Sequence, residues 1–111
     1  MTFRGESPTC PPITNILPPA EAAPQKARAV GKAVTLPVML QYAPEQTGVG
    51  IPPEVLARLP GEAPNISLFK VECKPPGPYI TRLLSLCPEA SVYAGNAGFQ
   101  MIETLDRGVA G

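Results

Sequence analysis

The chain has 111 residues, nine of them basic and nine acidic, for a formal net charge of zero. A balanced charge offers no long-range field to nucleic acid or to an anionic membrane surface, and neither is expected as a partner. No apolar run approaches the roughly 20 residues of a membrane-spanning helix, and the N-terminus lacks the apolar core of a signal peptide, so a cytoplasmic protein is expected.

Histidine is absent. That excludes Ser-His-Asp and Cys-His catalysis and every histidine-based metal site. Cys10, Cys73 and Cys87 are odd in number and have no Cys-x-x-Cys spacing. They read as free thiols rather than a metal or disulfide framework. Any chemistry must therefore rest on Lys, Tyr, Glu, Asp, Ser, Thr or backbone groups.

Residues 1–15 are rich in proline and poor in large apolar side chains, and are expected to be poorly ordered. From Ala20 to Val34, Ala23, Ala27, Val30 and Val34 recur at helical spacing, with Pro24 acceptable in a first turn. Leu36 to Leu40 is a short run, apolar on both faces, as a buried parallel strand is. Ala43 to Gly50, with Pro44, Gly48 and Gly50, reads as a loop. A second helix opens at Pro52-Pro53-Glu54, turns Ile51, Val55, Leu56 and Leu59 inward, and ends at Pro60-Gly61. Ile66 to Phe69 forms a second strand, and Cys73 to Pro78 a loop. A third helix, Tyr79 to Leu86, buries Ile80, Leu83 and Leu84. Ser91 to Ala94 is a third strand, and a helix from Phe99 to Arg107 buries Phe99, Ile102 and Leu105 before Gly108 caps it. Val109-Ala110 looks like the start of another strand.

Alternating helices and strands imply an α/β fold with a parallel sheet and right-handed crossovers. A doubly wound sheet and a closed barrel both fit that pattern, and in both the functional groups gather at the C-terminal strand ends. Those ends carry Gln41 and Tyr42, then Lys70, then Gly95 and Asn96. Lys70 is the most informative, because it directly follows the apolar run Ile66 to Phe69. A lysine amine in a desolvated pocket loses its proton more readily and can attack a carbonyl to form an imine. The ordinary alternative is a strand-end lysine reaching for water or for a carboxylate such as Glu72.

Four segments in order sharpen that choice. They are Leu36-Pro37-Val38-Met39-Leu40-Gln41-Tyr42-Ala43-Pro44-Glu45-Gln46-Thr47-Gly48, the helix opening Ile51-Pro52-Pro53-Glu54, Pro64-Asn65-Ile66-Ser67-Leu68-Phe69-Lys70, and Leu105 to Gly111. Together with Tyr93-Ala94-Gly95-Asn96 they resemble the C-terminal part of the dihydrodipicolinate synthase/N-acetylneuraminate lyase family, over roughly Ile16 to Gly111.

The resemblance implies a partial (β/α)8 TIM barrel over residues 16–111, from about strand four or five to the start of strand eight. It implies a lyase or dehydratase with Lys70 as the Schiff-base lysine and with Gln41, Tyr42, Thr47, Gly48 and Gly95 binding substrate. The substrate would be a small 2-keto acid, pyruvate or a 2-keto-3-deoxy sugar acid, with no metal or organic cofactor. Lys70-Val71-Glu72 and the Gln-x-Ala-Pro form of the first strand resemble a sugar-acid dehydratase branch. Aligned on Pro44-x-x-Thr47-Gly48, the family's proton-relay tyrosine falls on Gln41, and its loop arginine on Gln46. Tyr42 lies one residue later, on the opposite strand face. A complete barrel of this type takes about 250 residues. The chain is therefore expected to join a homo-oligomer or a missing barrel half, and the alternative is an inactive remnant or interaction subunit.

Overall fold

The computed structural model describes residues 19–111, so the expectation for residues 1–15 lies outside the described residues. The chain order is α1 (Pro19–Ala33), β1 (Val38–Tyr42), α2 (Pro44–Thr47), α3 (Pro53–Glu62), β2 (Ile66–Val71), α4 (Gly77–Leu86), β3 (Ser91–Ala94), a short 3-10 turn (Asn96–Gly98) and α5 (Met101–Asp106). The three strands form one parallel sheet in the order β1-β2-β3. The last residues extend it, since Ala110 donates its N–H to the Val92 carbonyl at 2.7 Å and Ala94 donates to the Gly111 carbonyl at 2.8 Å.

The core lies on one side of that sheet. Leu56 and Leu59 of α3 and Ile80 and Leu83 of α4 meet Ile66, Phe69, Val71 and Val92 of the strands, all essentially without solvent contact. Each such side chain contributes about 1.5–3 kcal/mol by leaving water. The helices pack side by side, α3 between α1 and α4, with α5 against α4. The other face of the sheet is open among the described residues. Met39 of β1, expected to be buried, is 46 % exposed, and Leu36 just before the strand is 70 % exposed. β1 is thus buried on one face only.

Several boundaries differ from expectation for definable reasons. β1 begins at Val38 rather than Leu36 because Pro37 has no N–H to offer the ladder. The linker before it is held instead by Asn65, whose Nδ2 donates to the carbonyls of Gly31, Val34 and Leu36 at 2.8, 3.1 and 3.0 Å. Pro44–Thr47 is a helical turn inside the expected loop, closed by Gly48 in the left-handed region at φ 73°. α3 runs through Pro60 instead of stopping there, and closes with the Ala63 N–H on the Leu59 carbonyl at 2.8 Å. Burial of Leu56, Leu59 and Ala63 offsets the hydrogen bond that proline cannot make. α4 starts two residues early, with Pro78 in its first turn, where a missing N–H costs nothing.

The ends of the chain's apolar pattern were less informative. Val30 and Val34 are 52 % and 41 % exposed, and only Ala23 and Ala27 of the expected α1 face pack on the core. α5 begins at Met101, after positive-φ residues at Asn96, Ala97 and Gln100. Those turns rotate the helix so that Phe99, Ile102 and Leu105 are exposed and Thr104 is the buried residue. The Thr104 hydroxyl satisfies itself on the carbonyls of Gln100 and Met101 at 3.1 and 3.0 Å.

Candidate functional site

Parallel pairing sets Gln41 beside Lys70 and Lys70 beside Tyr93 across the three strands. Because side chains alternate along a strand, these three share one face, opposite to Phe69, Val71 and Val92. They therefore point to the open side of the sheet. Lys70 lies within β2, one residue before its end, rather than after the strand as expected.

Glu72 ties this row together. Two residues beyond Lys70, it returns to the same face. Its Oε2 lies 3.3 Å from Lys70 Nζ, and its Oε1 accepts a hydrogen bond from Gln41 Nε2 at 2.6 Å. The Glu72 side chain is 13 % exposed, against 40 % for Lys70. Burial pushes its pKa up, but the donors Gln41 and Lys70 outweigh this and hold it below the usual carboxylate value. Lys70 thus rests as half of an ion pair at a partly open surface, not as an isolated amine in a desolvated pocket.

Gly95 gives the carboxylate its room. A Cβ there would collide with Glu72 Cγ, so only glycine fits this approach. Gly95 is also fixed by its own N–H on the Val71 carbonyl at 2.9 Å, and Glu72 by its N–H on the Tyr42 carbonyl at 2.9 Å. Beside them, Lys74, Asn96 and Phe99 line a shallow hollow beyond the ends of β2 and β3.

Tyr42 lies elsewhere. It is buried on the helix side, stacked on Tyr79 with ring centroids 4.7 Å apart, and its hydroxyl accepts the Ile51 N–H at 3.2 Å. Tyr79 donates to the Ile51 carbonyl at 2.7 Å, and burial raises its pKa strongly. The two phenols clamp Ile51 from both sides and so fix the loop that follows β1. Thr47 stands in that loop, exposed, with its hydroxyl on the Ala43 carbonyl at 3.1 Å and accepting the Val49 N–H at 3.2 Å. Gly48 ends the helical turn next to it. The structure therefore brings together Gln41, Lys70 and Gly95, holds Thr47 and Gly48 in the loop after β1, and turns Tyr42 away.

Glu72 and Tyr93 were not among the candidate site residues from sequence, although strand alternation and in-register pairing both mark them once the strand order is known. Among the described residues no three Cys, Asp or Glu side chains form a metal-binding group. No helix among them is long and apolar enough to cross a membrane.

No protein-family model matches the chain. It is 45 % identical over 69 residues to the 4-hydroxy-tetrahydrodipicolinate synthase of Acidobacterium capsulatum, which covers 61 % of this chain and 22 % of that protein. The synthase of the same name from Caldicellulosiruptor saccharolyticus is 30 % identical over 69 residues, covering 62 % of this chain and 23 % of that one. A crystal structure from Pseudomonas aeruginosa, provisionally assigned as a dihydrodipicolinate synthetase, superposes with a TM-score of 0.74 at 25 % identity, covering 88 % of this chain and 33 % of that one. The chain thus spans about a fifth to a third of the length of the proteins it matches.

Proposed function

The matched part of the chain belongs to the dihydrodipicolinate synthase family, and on that premise we propose that Lys70 forms a Schiff base with a small 2-keto acid. The parallel strands would be part of an eight-stranded barrel, from about strand four or five to the start of strand eight, with the open face of the sheet turned to the barrel interior. The observation that carries this reading is the Gln41–Glu72–Lys70 cluster on that face, at the C-terminal end of β2.

The chemistry follows from the amine. Lys70 Nζ attacks the ketone carbon of the 2-keto acid, water leaves, and the protonated imine draws electrons from the neighbouring carbon. That carbon can then lose a proton or a bonded group, which is the shared step of a lyase and a dehydratase. Gln41 orients the substrate, and Thr47, Gly48 and Gly95 shape its pocket. Tyr42 serves binding indirectly, by fixing the loop through Ile51 rather than by touching the substrate. The substrate class is pyruvate or a 2-keto-3-deoxy sugar acid, and the mechanism needs no metal or organic cofactor. A homo-oligomer, or the remaining strands of the barrel, would cover the open face.

A second reading has one observation in its favour. The Lys70–Glu72 ion pair at 3.3 Å is also what a structural lysine at a strand end would make, in a non-catalytic or interaction role. Intact mass after incubation of the full-length protein with pyruvate and borohydride separates the two. The catalytic reading predicts one reduced pyruvyl group on the native protein and none on Lys70→Ala, whereas the structural reading predicts no adduct on either.

A further inference from the structure

The geometry points to Glu72 as the acid–base residue of imine formation, taking a proton from Lys70 and returning it to the departing oxygen. This rests on the imine reading above and adds to it a group for which neither Gln41 nor Tyr42 can substitute. Gln41 carries no titratable proton, and the Tyr42 phenol is on the other side of the sheet, bonded to Ile51. Of the other carboxylates nearby, Glu45 pairs with Lys74 at 3.4 Å. Glu72 alone among the described acidic residues contacts Lys70 Nζ.

An incidental surface pair has one contact and free rotamers. Glu72 has a hydrogen bond from Gln41 Nε2 on one oxygen and the Lys70 ion pair on the other, and sits over the one position, Gly95, where any side chain would displace it. Its carboxylate is therefore fixed with one oxygen toward the amine that must react. The titratable groups facing it are Lys70 on its own strand and, in the neighbouring row position, Tyr93 of β3; Gln41 of β1 is neutral.

The proton count closes without another reactant. The Lys70 ammonium gives one proton to the Glu72 carboxylate, leaving a neutral amine and a carboxylic acid. The amine lone pair forms the C–N bond as the ketone π-pair moves to oxygen, and a proton passes from nitrogen to that oxygen to give the carbinolamine. The Glu72 acid then protonates the hydroxyl, the C–O bond breaks to release water, and the nitrogen lone pair closes the protonated imine. Glu72 ends as the carboxylate it began as.

The test is the rate of adduct formation in the full-length protein with pyruvate as probe, each time point quenched with borohydride and read by intact mass, for native, Glu72→Gln and Glu72→Asp proteins. Loss of a general acid–base group predicts a rate slower by about 100-fold or more in Glu72→Gln. Glu72→Asp, which keeps a carboxylate, should recover part of that loss. A Glu72→Gln rate within about threefold of native, far less than general acid–base catalysis supplies, overturns the proposal, as does an aspartate variant no faster than the glutamine one. Absence of adduct on the native protein overturns the imine reading itself, which is a different failure from a native adduct that ignores Glu72.

Discussion

Gly95 and Glu72 occupy space that neither could hold if the other changed. Gly95 has a negative φ, −87°, outside the left-handed region, and a Cβ added there meets the Glu72 side chain. Gly95→Ala should therefore cost about 1–3 kcal/mol by overpacking and swing Glu72 off Lys70. A urea unfolding midpoint and an adduct rate that both match native would show that the close approach does not matter. Cys87 makes a separate prediction about pH. Burial, and the hydrogen bond from its Sγ to Glu89 at 2.9 Å, raise its pKa from the ordinary 9.0 to about 11. The folded state then holds a proton that the unfolded chain has lost, so this contribution is whole below pH 9.0 and disappears as pH rises toward about 11. Urea midpoints should fall across that window in native protein and fall less in Cys87→Ala; parallel curves would argue against the buried thiol as the cause.

At the level of elements, Asn65 joins the end of α1, the linker before β1 and the start of β2 through one amide group. Asn65→Ala leaves those carbonyls unpaired and should destabilise by about 1–3 kcal/mol, read as a lower urea midpoint with unchanged slope. An unchanged midpoint would mean that water replaces the amide at no cost. The strands and the interior helices were legible because their apolar side chains repeat at the right period: Leu56 and Leu59, Ile80 and Leu83, and Ser91 to Ala94 all fall where the pattern sets them. α5 was not, since four positive-φ residues before it, Asn96, Ala97, Gly98 and Gln100, reset its phase, and apolar spacing alone carries no information about that rotation. Pro60 misled for a similar reason: local propensity favoured a stop, and burial of the helix face overrode it.

For the whole molecule, the informative feature is an asymmetry. One face of the sheet holds the core and four helices, and the other shows Met39, Gln41, Lys70 and Tyr93. Sequence pattern made Lys70 and the strand ends visible, but Glu72 and Tyr93 became part of the site only through strand register, which a linear reading cannot supply. Leu36, Met39, Phe99, Met101, Ile102 and Leu105 add exposed apolar surface. Such surface favours association. The 111-residue chain produced by itself should therefore sediment as species that grow with concentration. A single monomeric boundary across a wide concentration range would contradict that expectation.

The most direct test of the central claim is to digest the borohydride-reduced pyruvate adduct of the full-length protein and identify the modified lysine. Modification is expected at Lys70, with none at the neighbouring Lys74 or at Lys26 and Lys32 on α1. A pyruvyl group found at Lys74, or spread over several lysines while Lys70 stays unmodified, would contradict it.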